Sequence, residues 1–409
     1  MHARRGLCAG RRAAVPGQAR RRQRHPLRQH DAGRNAMSLG QWIASLGRRA
    51  GAGASPARPI GADFAATRLN LVQAERRGER WHLQAAASRA YPMPREALLA
   101  NPRELLRFVN ATLAQAPFQG RRVISALAPA DVRILPLTVQ VAQGQTEAQA
   151  VARAAAEQLG ERAAQHVIDY YQVRGADQDG GERQVLLAAA PKAGVLDFLA
   201  MLERARLTPV ALDIGPAAIG RLLAVLHGSD VGQSVALLNF GTRKSYLTVI
   251  WGRRLMLDRE IAFGEDMLAG AVADALDLPP DTAASLLRDH GIGAREAGPA
   301  ADPHGELRRA IRAILHPACQ ALADELAHTQ VYVASRTRGS SISRLYLNGS
   351  LARYPDIGAR MAELIDVPVH LLDPHDAFAG AAADGAQRAE NATAIALATG
   401  LALREDAHG

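Results

Sequence analysis

The residues of this chain that could do chemistry sit in a pattern that occurs twice. Ile60-Gly61-Ala62-Asp63-Phe64-Ala65-Ala66-Thr67 leads into Arg68-Leu69-Asn70-Leu71-Val72. Val235-Ala236-Leu237-Leu238-Asn239-Phe240-Gly241-Thr242 leads into Arg243-Lys244-Ser245-Tyr246-Leu247-Thr248-Val249-Ile250. Each copy is a short apolar run, one Asp or Asn, a few small or hydroxylated residues and a second apolar run. That is a strand, a turn and a returning strand, with a polar side chain where the first strand ends. Backbone N–H groups of such a turn can hold phosphate oxygens. The candidates are Asp63 and Thr67 in the first copy, and Asn239, Gly241 and Thr242 in the second. Two such hairpins about 175 residues apart predict a duplicated α/β domain whose turns face a cleft between the halves.

Other groupings are weaker. His370 and His375 do not share a helical face, and a satisfied or solvated pair is the expectation. Arg336, Arg338 and Arg344 flank Ser340-Ser341 as a basic, solvated turn. Tyr170-Tyr171 reads as strand packing, one ring inward and one outward. Cys319 is expected to be a small buried hydrophobe, and with Cys8 as the other of two cysteines there is no disulfide framework. No P-loop, nucleophile elbow or zinc-protease helix motif occurs.

The elements that position the candidates follow from the apolar patterning. Strands are predicted at 81–84, 122–127, 132–137, 167–173, 185–190, 210–214, 254–261, 343–350 and 369–373. Helices are predicted at 103–116, 146–160, 191–206, 216–227, 264–276, 280–289 and 392–403, with another opening at Tyr354-Pro355-Asp356 and a long one over about 306–336 that Pro317 interrupts. Pro317 is read as the first turn of its helix, where its missing N–H is harmless. The block 122–210 reads β-β-α-β-β-α, an α+β insert within the first half.

Charge is unevenly distributed. The formal net charge of +9 resides in residues 1–36, which hold ten arginines and one acid; the remainder balances 39 basic against 39 acidic residues. A nucleic-acid binder is disfavoured once the tail is set apart. The tail lacks core-forming residues and is expected to be disordered. Three readings of it stand: a nucleic-acid arm, a transit peptide, or sequence upstream of a start at Met37, with the start-like Met37-Ser38-Leu39 favouring the last. Leu39, Trp42, Ile43 and Leu46 fall at helical spacing before Arg48 and Arg49, as in a weak membrane-surface helix or a leader packed on the body. Residues 50–58 are a linker, and no run reaches the length of a membrane span.

This order of elements resembles the actin/Hsp70-like ATPase superfamily and, within it, the PilM family of pilus assembly proteins. MshI-like proteins and the cytoplasmic domains of GspL-type secretion proteins are close alternatives. The resemblance covers residues 59–402. It is most specific at Arg183-Gln184-Val185-Leu186-Leu187-Ala188-Ala189-Ala190-Pro191-Lys192 through Leu207-Thr208-Pro209-Val210-Ala211-Leu212-Asp213. Arg259-Glu260-Ile261-Ala262-Phe263-Gly264 and Leu315-His316-Pro317 add to it.

The resemblance implies an α/β, duplicated actin-like ATPase fold with an inserted α+β (1C/SHS2-like) subdomain. The implied divisions are a tail 1–36, a leader and linker 37–58, a first half 59–121 (1A), the insert 122–210 (1C) and a return 211–233. A second half follows at 234–402 (2A, with a small 2B at about 264–300), then a tail 403–409. ATP and Mg would be the cofactors, with Asp63 toward the metal and Gly349 and Ser350 on the adenosine side.

The nucleotide elements depart from the family pattern. Asn70 stands where a Lys is usual, and Asn239 where an Asp is usual. Leu351 follows a single glycine, where it would crowd a purine. Losing the Lys removes a point charge suited to phosphate, and Asn239 cannot serve as a base.

The implied function is a scaffold of type IV pilus or type II secretion-like assembly, cytoplasmic and peripheral to the inner membrane through its partner. The partner would be the cytoplasmic N-terminal segment of a PilN-like bitopic inner-membrane protein, docked as an extended peptide beside the insert, at Val132, Arg133 and Leu135. A secretion or pilus ATPase is a further partner. The alternatives are an ATP-hydrolysing switch of the same machine and a small-molecule kinase of the superfamily.

Overall fold

Ile60–Phe64 (β1) and Ser234–Phe240 (β9) are apolar and buried at nearly every position, and each has one part-exposed residue, Asp63 and Asn239. Strands buried on both faces belong in the middle of a sheet covered on both sides. That is where the computed structural model, which describes residues 57–173, 181–227, 232–293, 304–337, 339–380 and 393–405, has them. β1 pairs antiparallel with β2 (Arg68–Arg77), and β2 with β3 (Arg80–Ala90). On the other side of β1, β4 (Arg122–Ala126) and then β8 (Thr208–Asp213) add in parallel, giving the order β3-β2-β1-β4-β8.

The second sheet repeats this plan strand for strand. β9 pairs antiparallel with β10 (Ser245–Trp251) and β10 with β11 (Arg254–Ile261), while β12 (Ile342–Gly349) and β13 (Val369–Leu371) add in parallel. Its order is β11-β10-β9-β12-β13. The duplication expected from the paired hairpins is therefore present in the topology.

Between β4 and β8 lies an antiparallel sheet, β5-β7-β6, made of β5 (Arg133–Gln140), β6 (His166–Gln172) and β7 (Glu182–Pro191). Helix α3 (Glu147–Leu159), started by a Thr146/Gln149 capping box, covers one face through Ala150, Val151 and Ala155 against Val139, Val185 and Leu187. The sequence placed residues 122–126 and 208–210 in this insert. Their strands instead pair with β1 and with each other, so both belong to the first sheet.

In the first half, α1 (Arg95–Ala100) and α2 (Pro102–Leu113) follow β3, and α4 (Lys192–Arg204) leads into β8. Leu105, Val109, Val195 and Leu202 close the core under Ile60, Leu69 and Leu71. The second half contains α6 (Glu265–Leu276), α7 (Pro280–His290), α8 (Gly305–Arg336) and α9 (Ile357–Leu364). Pro317 lies inside α8 and does not begin it. Ile311, Leu315, Cys319, Leu322 and Leu326 straddle the proline at helical spacing and bury in one core, so the packing of both sides carries the helix through the lost bond.

The halves are joined by α5 (Gly215–Leu226) and α10 (Ala396–Ala402), which exchange partners. The first-half helix α5 packs on β10 and β11, the C-terminal α10 packs on β1 and β2, and the two helices cross. A Cβ on Gly61 would lie 2.1 Å from the Ala398 carbonyl oxygen, and one on Gly400 2.1 Å from that of Ala218. Strand, helix and helix thus stack backbone to backbone, a contact only glycine allows. The tail 1–36, the leader 37–56 and the polar connection at 174–180 lie outside the described residues.

Candidate functional site

Asp63 and Asn239 hold equivalent places, each one residue before a buried Phe at the end of its central strand. Asp63 faces Asn70 across the β1–β2 pair, and the Asn70 amide donates to Asp63 Oδ2 at 2.9 Å. Ser88 on β3 donates to Asn70 Oδ1 at 2.5 Å, so a polar ladder runs across three strands to the carboxyl. Burial pushes the Asp63 carboxyl up to about 6, against the opposing pull of the Asn70 bond and of Arg95. Thr67 is exposed in the turn, and its carbonyl accepts from the Tyr91 N–H at 3.0 Å.

In the second half, the side-chain amides of Asn348 and Asn239 bond each other at 3.0 Å, linking the ends of β12 and β9. The carbonyls of Gly241 and Thr242 accept the N–H groups of Glu265 and Asp266 at the start of α6. Lys244 pairs with Glu260 at 2.5 Å. Gly349 has φ +92°, and a Cβ there would lie 2.0 Å from the Phe240 carbonyl oxygen, which also accepts from the Ser350 N–H at 2.9 Å. The requirement for glycine comes from the neighbouring strand. Leu351 was expected to crowd a purine; it is fully buried in the second-half core, where packing accounts for it.

Tested against a metal–nucleotide pair, these residues fit poorly. The Asp63 carboxyl is neutral more readily than an ordinary carboxylate and already engaged by an amide, with no lysine beside it. Asn239 is engaged by Asn348. Among the described residues, no group of three or more His, Cys, Asp or Glu converges as metal ligands would. The features that fit a phosphate are the exposed hydroxyls of Thr67 and Thr242.

The second site was only half legible. The uncovered face of the insert sheet turns toward the first half and, with β8 and α4, walls a groove. Leu127, Val132, Val167, Ala188, Ala190 and Val195 line it, and Asp169, Tyr171, Asp213 and Arg404 supply its polar part. Two alanines on the central strand line it, and most of its lining is buried. Its free volume, about 30 Å³, is far below the several hundred Å³ of a small-molecule pocket.

Of the three residues expected there, Val132 lines the groove. Leu135 is on the opposite face, packed with Leu137 and Val139 on the α3 side, and Arg133 is exposed. Period-two alternation sends odd-numbered β5 side chains away from the groove. The Val141 N–H bonds the Gly181 carbonyl, so the odd-numbered β5 residues aim their backbone groups at β7. Pro136, without an N–H, then falls where the strand edge is open.

Asp213 is the residue that sequence reading passed over. Its carboxylate is fully buried and accepts from Tyr171 Oη at 2.8 Å, the Ile214 N–H at 2.8 Å, Arg221 at 2.5 Å and Arg404 at 3.0 Å. Burial alone would raise its pKa, but the two guanidiniums and the hydrogen bonds hold it below the usual carboxylate range. Tyr171 is driven well above the ordinary phenol by burial and by the Asp213 charge. Arg221 also donates to the Gly400 carbonyl at 2.5 Å. One carboxylate thus ties together the insert, the first sheet, α5 and the C-terminal segment. Its partners lie 8, 42 and 191 residues away in sequence, so no local motif marks it. His375 is buried and bonded to Asp373 at 2.8 Å, as the satisfied reading expected.

Comparison with known proteins follows the geometry. No curated protein sequence matches the chain at significance. Among solved structures, a PilM-PilN type IV pilus biogenesis complex superposes with TM-score 0.66 at 24% identity, over 86% of this chain and 99% of that one. The ethanolamine utilization protein EutJ from Carboxydothermus hydrogenoformans follows with TM-score 0.44 at 13% identity, over 90% and 99%. MreB5 of Spiroplasma citri, bound to ADP, gives TM-score 0.41 at 10% identity, over 84% and 94%. The architecture is an actin-like ATPase fold with two mixed sheets and an antiparallel subdomain sheet. The family described as type IV pilus assembly protein PilM matches residues 61–406, and the chain belongs to that family.

Proposed function

We propose that this chain is a scaffold of type IV pilus assembly that takes the cytoplasmic N-terminal segment of a PilN-like bitopic inner-membrane protein into the groove beside the insert. Its nucleotide cleft is degenerate. The observation that carries the reading is the contrast between the two sites. The groove is narrow, apolar and floored by a satisfied charge cluster, whereas the turn residues of the cleft spend their polar groups on neighbouring strands. A narrow slot with small side chains on one wall suits an extended segment that inserts alternate side chains.

The experiment is peptide binding by fluorescence anisotropy, using the cytoplasmic N-terminal segment of a PilN-like inner-membrane protein. Val132→Asp combined with Val167→Asp should weaken binding at least about tenfold, a loss of about 1.4 kcal/mol. Arg133→Gln, on the other face, should bind as wild type. Circular dichroism and a melting curve check that each variant is folded. Unchanged affinity in a folded double variant refutes the groove. A second reading, a nucleotide-dependent switch, is favoured by retention of Asp63, Thr67 and Thr242. Micromolar binding of magnesium–ATP by wild type would establish it over the degenerate cleft.

A further inference from the structure

We infer that the second half docks head to tail on a second copy of this chain, the end where α8 finishes meeting the α6–α7 hairpin of the neighbour. Ile342 and Trp251 both pair with Ser234, and Arg254 pairs with Trp251. The start of β12 and the β10–β11 turn are therefore level, and the last turn of α8 joins them there. Arg259 bonds Glu325 and Thr329, which lays α8 along β11. At this end Val331 on α8 is 71% exposed, the most of any large apolar side chain among the described residues, and Tyr332 beside it is 36% exposed.

Arginines frame this apolar pair. Arg336 lies over the Tyr332 ring at 5.6 Å, and Arg253, Arg254 and Arg344 are exposed on the strand ends beside it. Arg344 bonds the Tyr346 hydroxyl at 3.5 Å, and none of the four forms an ion pair among the described residues. The acids nearby are Asp366 ahead of β13 and, toward the first half, Glu79 and Asp376. Farther up α8, Asp324 accepts from Gln320 and Glu325 is taken by Arg259.

The opposite end of the same half has the opposite charge. β11 runs away from Arg254, and beyond its far end the chain enters the α6–α7 hairpin. Residues 261–290 hold six acids against one arginine and no lysine. Asp266, Asp274, Asp277, Asp281 and Asp289 are exposed and form no ion pair among the described residues. Asp274, Asp277 and Asp281 surround the turn that joins the helices, and Met267 on α6 is 39% exposed. Glu265 is held by Tyr354, and Arg288 bonds Ser285. The first turns of α8 bring Glu306, Arg308, Arg309 and Arg312 to this end, where Arg312 pairs with Glu363 and Arg309 bonds the Gly305 carbonyl.

Helix α8, about 48 Å long, spans the distance between the two ends. Meeting like end to like end would face arginine with arginine or aspartate with aspartate. Meeting end to opposite end sets arginine forks against carboxylates and covers Val331 and Tyr332. A polyanion would suit the arginines and leave the aspartates unmatched, whereas a second copy matches both. The contact uses a different patch on each copy, so the outer ends stay free and further copies can add. It uses no residue of the peptide groove.

The test is sedimentation velocity of the full chain over a concentration series, at about 0.05 M and about 0.5 M salt, the higher salt screening exposed charges. Wild type should shift to faster species as concentration rises at low salt and return to monomer at high salt. Arg253→Gln, Arg254→Gln and Arg336→Gln together should lower the association constant at least about tenfold. Asp274→Asn, Asp277→Asn and Asp281→Asn together should do the same. Mixed one to one, the two triple variants keep one sound surface each and should form a dimer that grows no further. Arg103→Gln with Arg107→Gln, exposed on α2, should sediment as wild type. All these changes are at exposed positions, and melting curves check that each variant is folded. The proposal is overturned if wild type stays monomeric at low salt, or if the arginine variant assembles as wild type does (the basic tail 1–36 then reaching the hairpin). It is also overturned if the mixed variants stay monomeric.

Discussion

Asp63→Asn should stabilise this protein, and the gain should depend on pH in a definite way. Burial raises the Asp63 carboxyl from 3.8 to about 6. The folded state therefore holds a proton between those values that the unfolded state has released. Stability falls as pH rises through that window and stays lower above it. A shift of about two units at about 1.4 kcal/mol each gives an upper bound near 3 kcal/mol. Asp63 is only partly buried, so solvent screening reduces this to about 1–2 kcal/mol. Asparagine keeps an oxygen for the Asn70 amide at the same place and has no charge to desolvate. For a body of this size the gain is about 1–3 °C in melting temperature. Melting curves of wild type and Asp63→Asn from about pH 4 to pH 8 would coincide at the acid end, separate through about 6 and run parallel above. Curves parallel throughout, or a wild type that is the more stable at about pH 8, would refute the account of Asp63 as a carboxyl raised by burial. Asp258, raised to about 6 by burial with one hydrogen bond from Thr248, should behave the same way on Asp258→Asn.

Asp213→Ala strands two arginines and a tyrosine around a buried void and should cost about 3–5 kcal/mol, read as a fall in denaturation midpoint at neutral pH. Tyr171→Phe removes one of those bonds and should cost about 1–2 kcal/mol in the same assay. Because the folded-state pKa of Asp213 is lowered, its contribution is complete above about pH 4 and is lost only as pH falls below that, opposite in sign to Asp63. Gly400→Ala drives a methyl into the Ala218 backbone and should cost about 3 kcal/mol or more. Gly358→Ala, in α9 with nothing within 4 Å, should gain about 0.5–1 kcal/mol.

The fold was legible where its signals are local. The two hairpins, the capping-box start of α3 and the helices at 265–276 and 280–290 follow from apolar spacing and turn residues within a few positions. Pairing is not local. β4 and β8 look like any buried strand, and nothing in Arg122–Ala126 states that its neighbour is β1 and not β5. Pro317 misled for a related reason. Its intrinsic preference is for a first turn, and the apolar row that overrides it is satisfied only by the tertiary core. At the candidate site, Val132 was readable from the alternation of an insert strand, whereas Leu135 required knowing which face α3 covers. Asp213 required the whole chain, since its ligands come from the insert, α5 and the C-terminus.

The two sites differ in how much room they leave for motion, and this decides which one can bind by adaptation. At the seam between the halves, β1, α10 and α5 meet backbone to backbone at Gly61 and Gly400. Packed backbones have no rotamers to rearrange, so a shift there must move whole elements. Arg221 holds the same seam, bridging Asp213 and the Gly400 carbonyl. A ligand that works by closing the cleft must overcome this seam and also displace the Asn70 and Asn348 amides from the turn residues. The groove requires neither. Its walls are side chains on an insert that rests against the first half and is fastened through Tyr171 to Asp213. A segment entering there gains apolar contact with Val132, Val167 and Val195 while the scaffold beneath keeps its shape. Rigid support under an apolar wall lowers the ordering cost of binding. On the proposed function, the same rigidity would disfavour switching at the nucleotide turns and favour the insert groove as a place to hold a peptide.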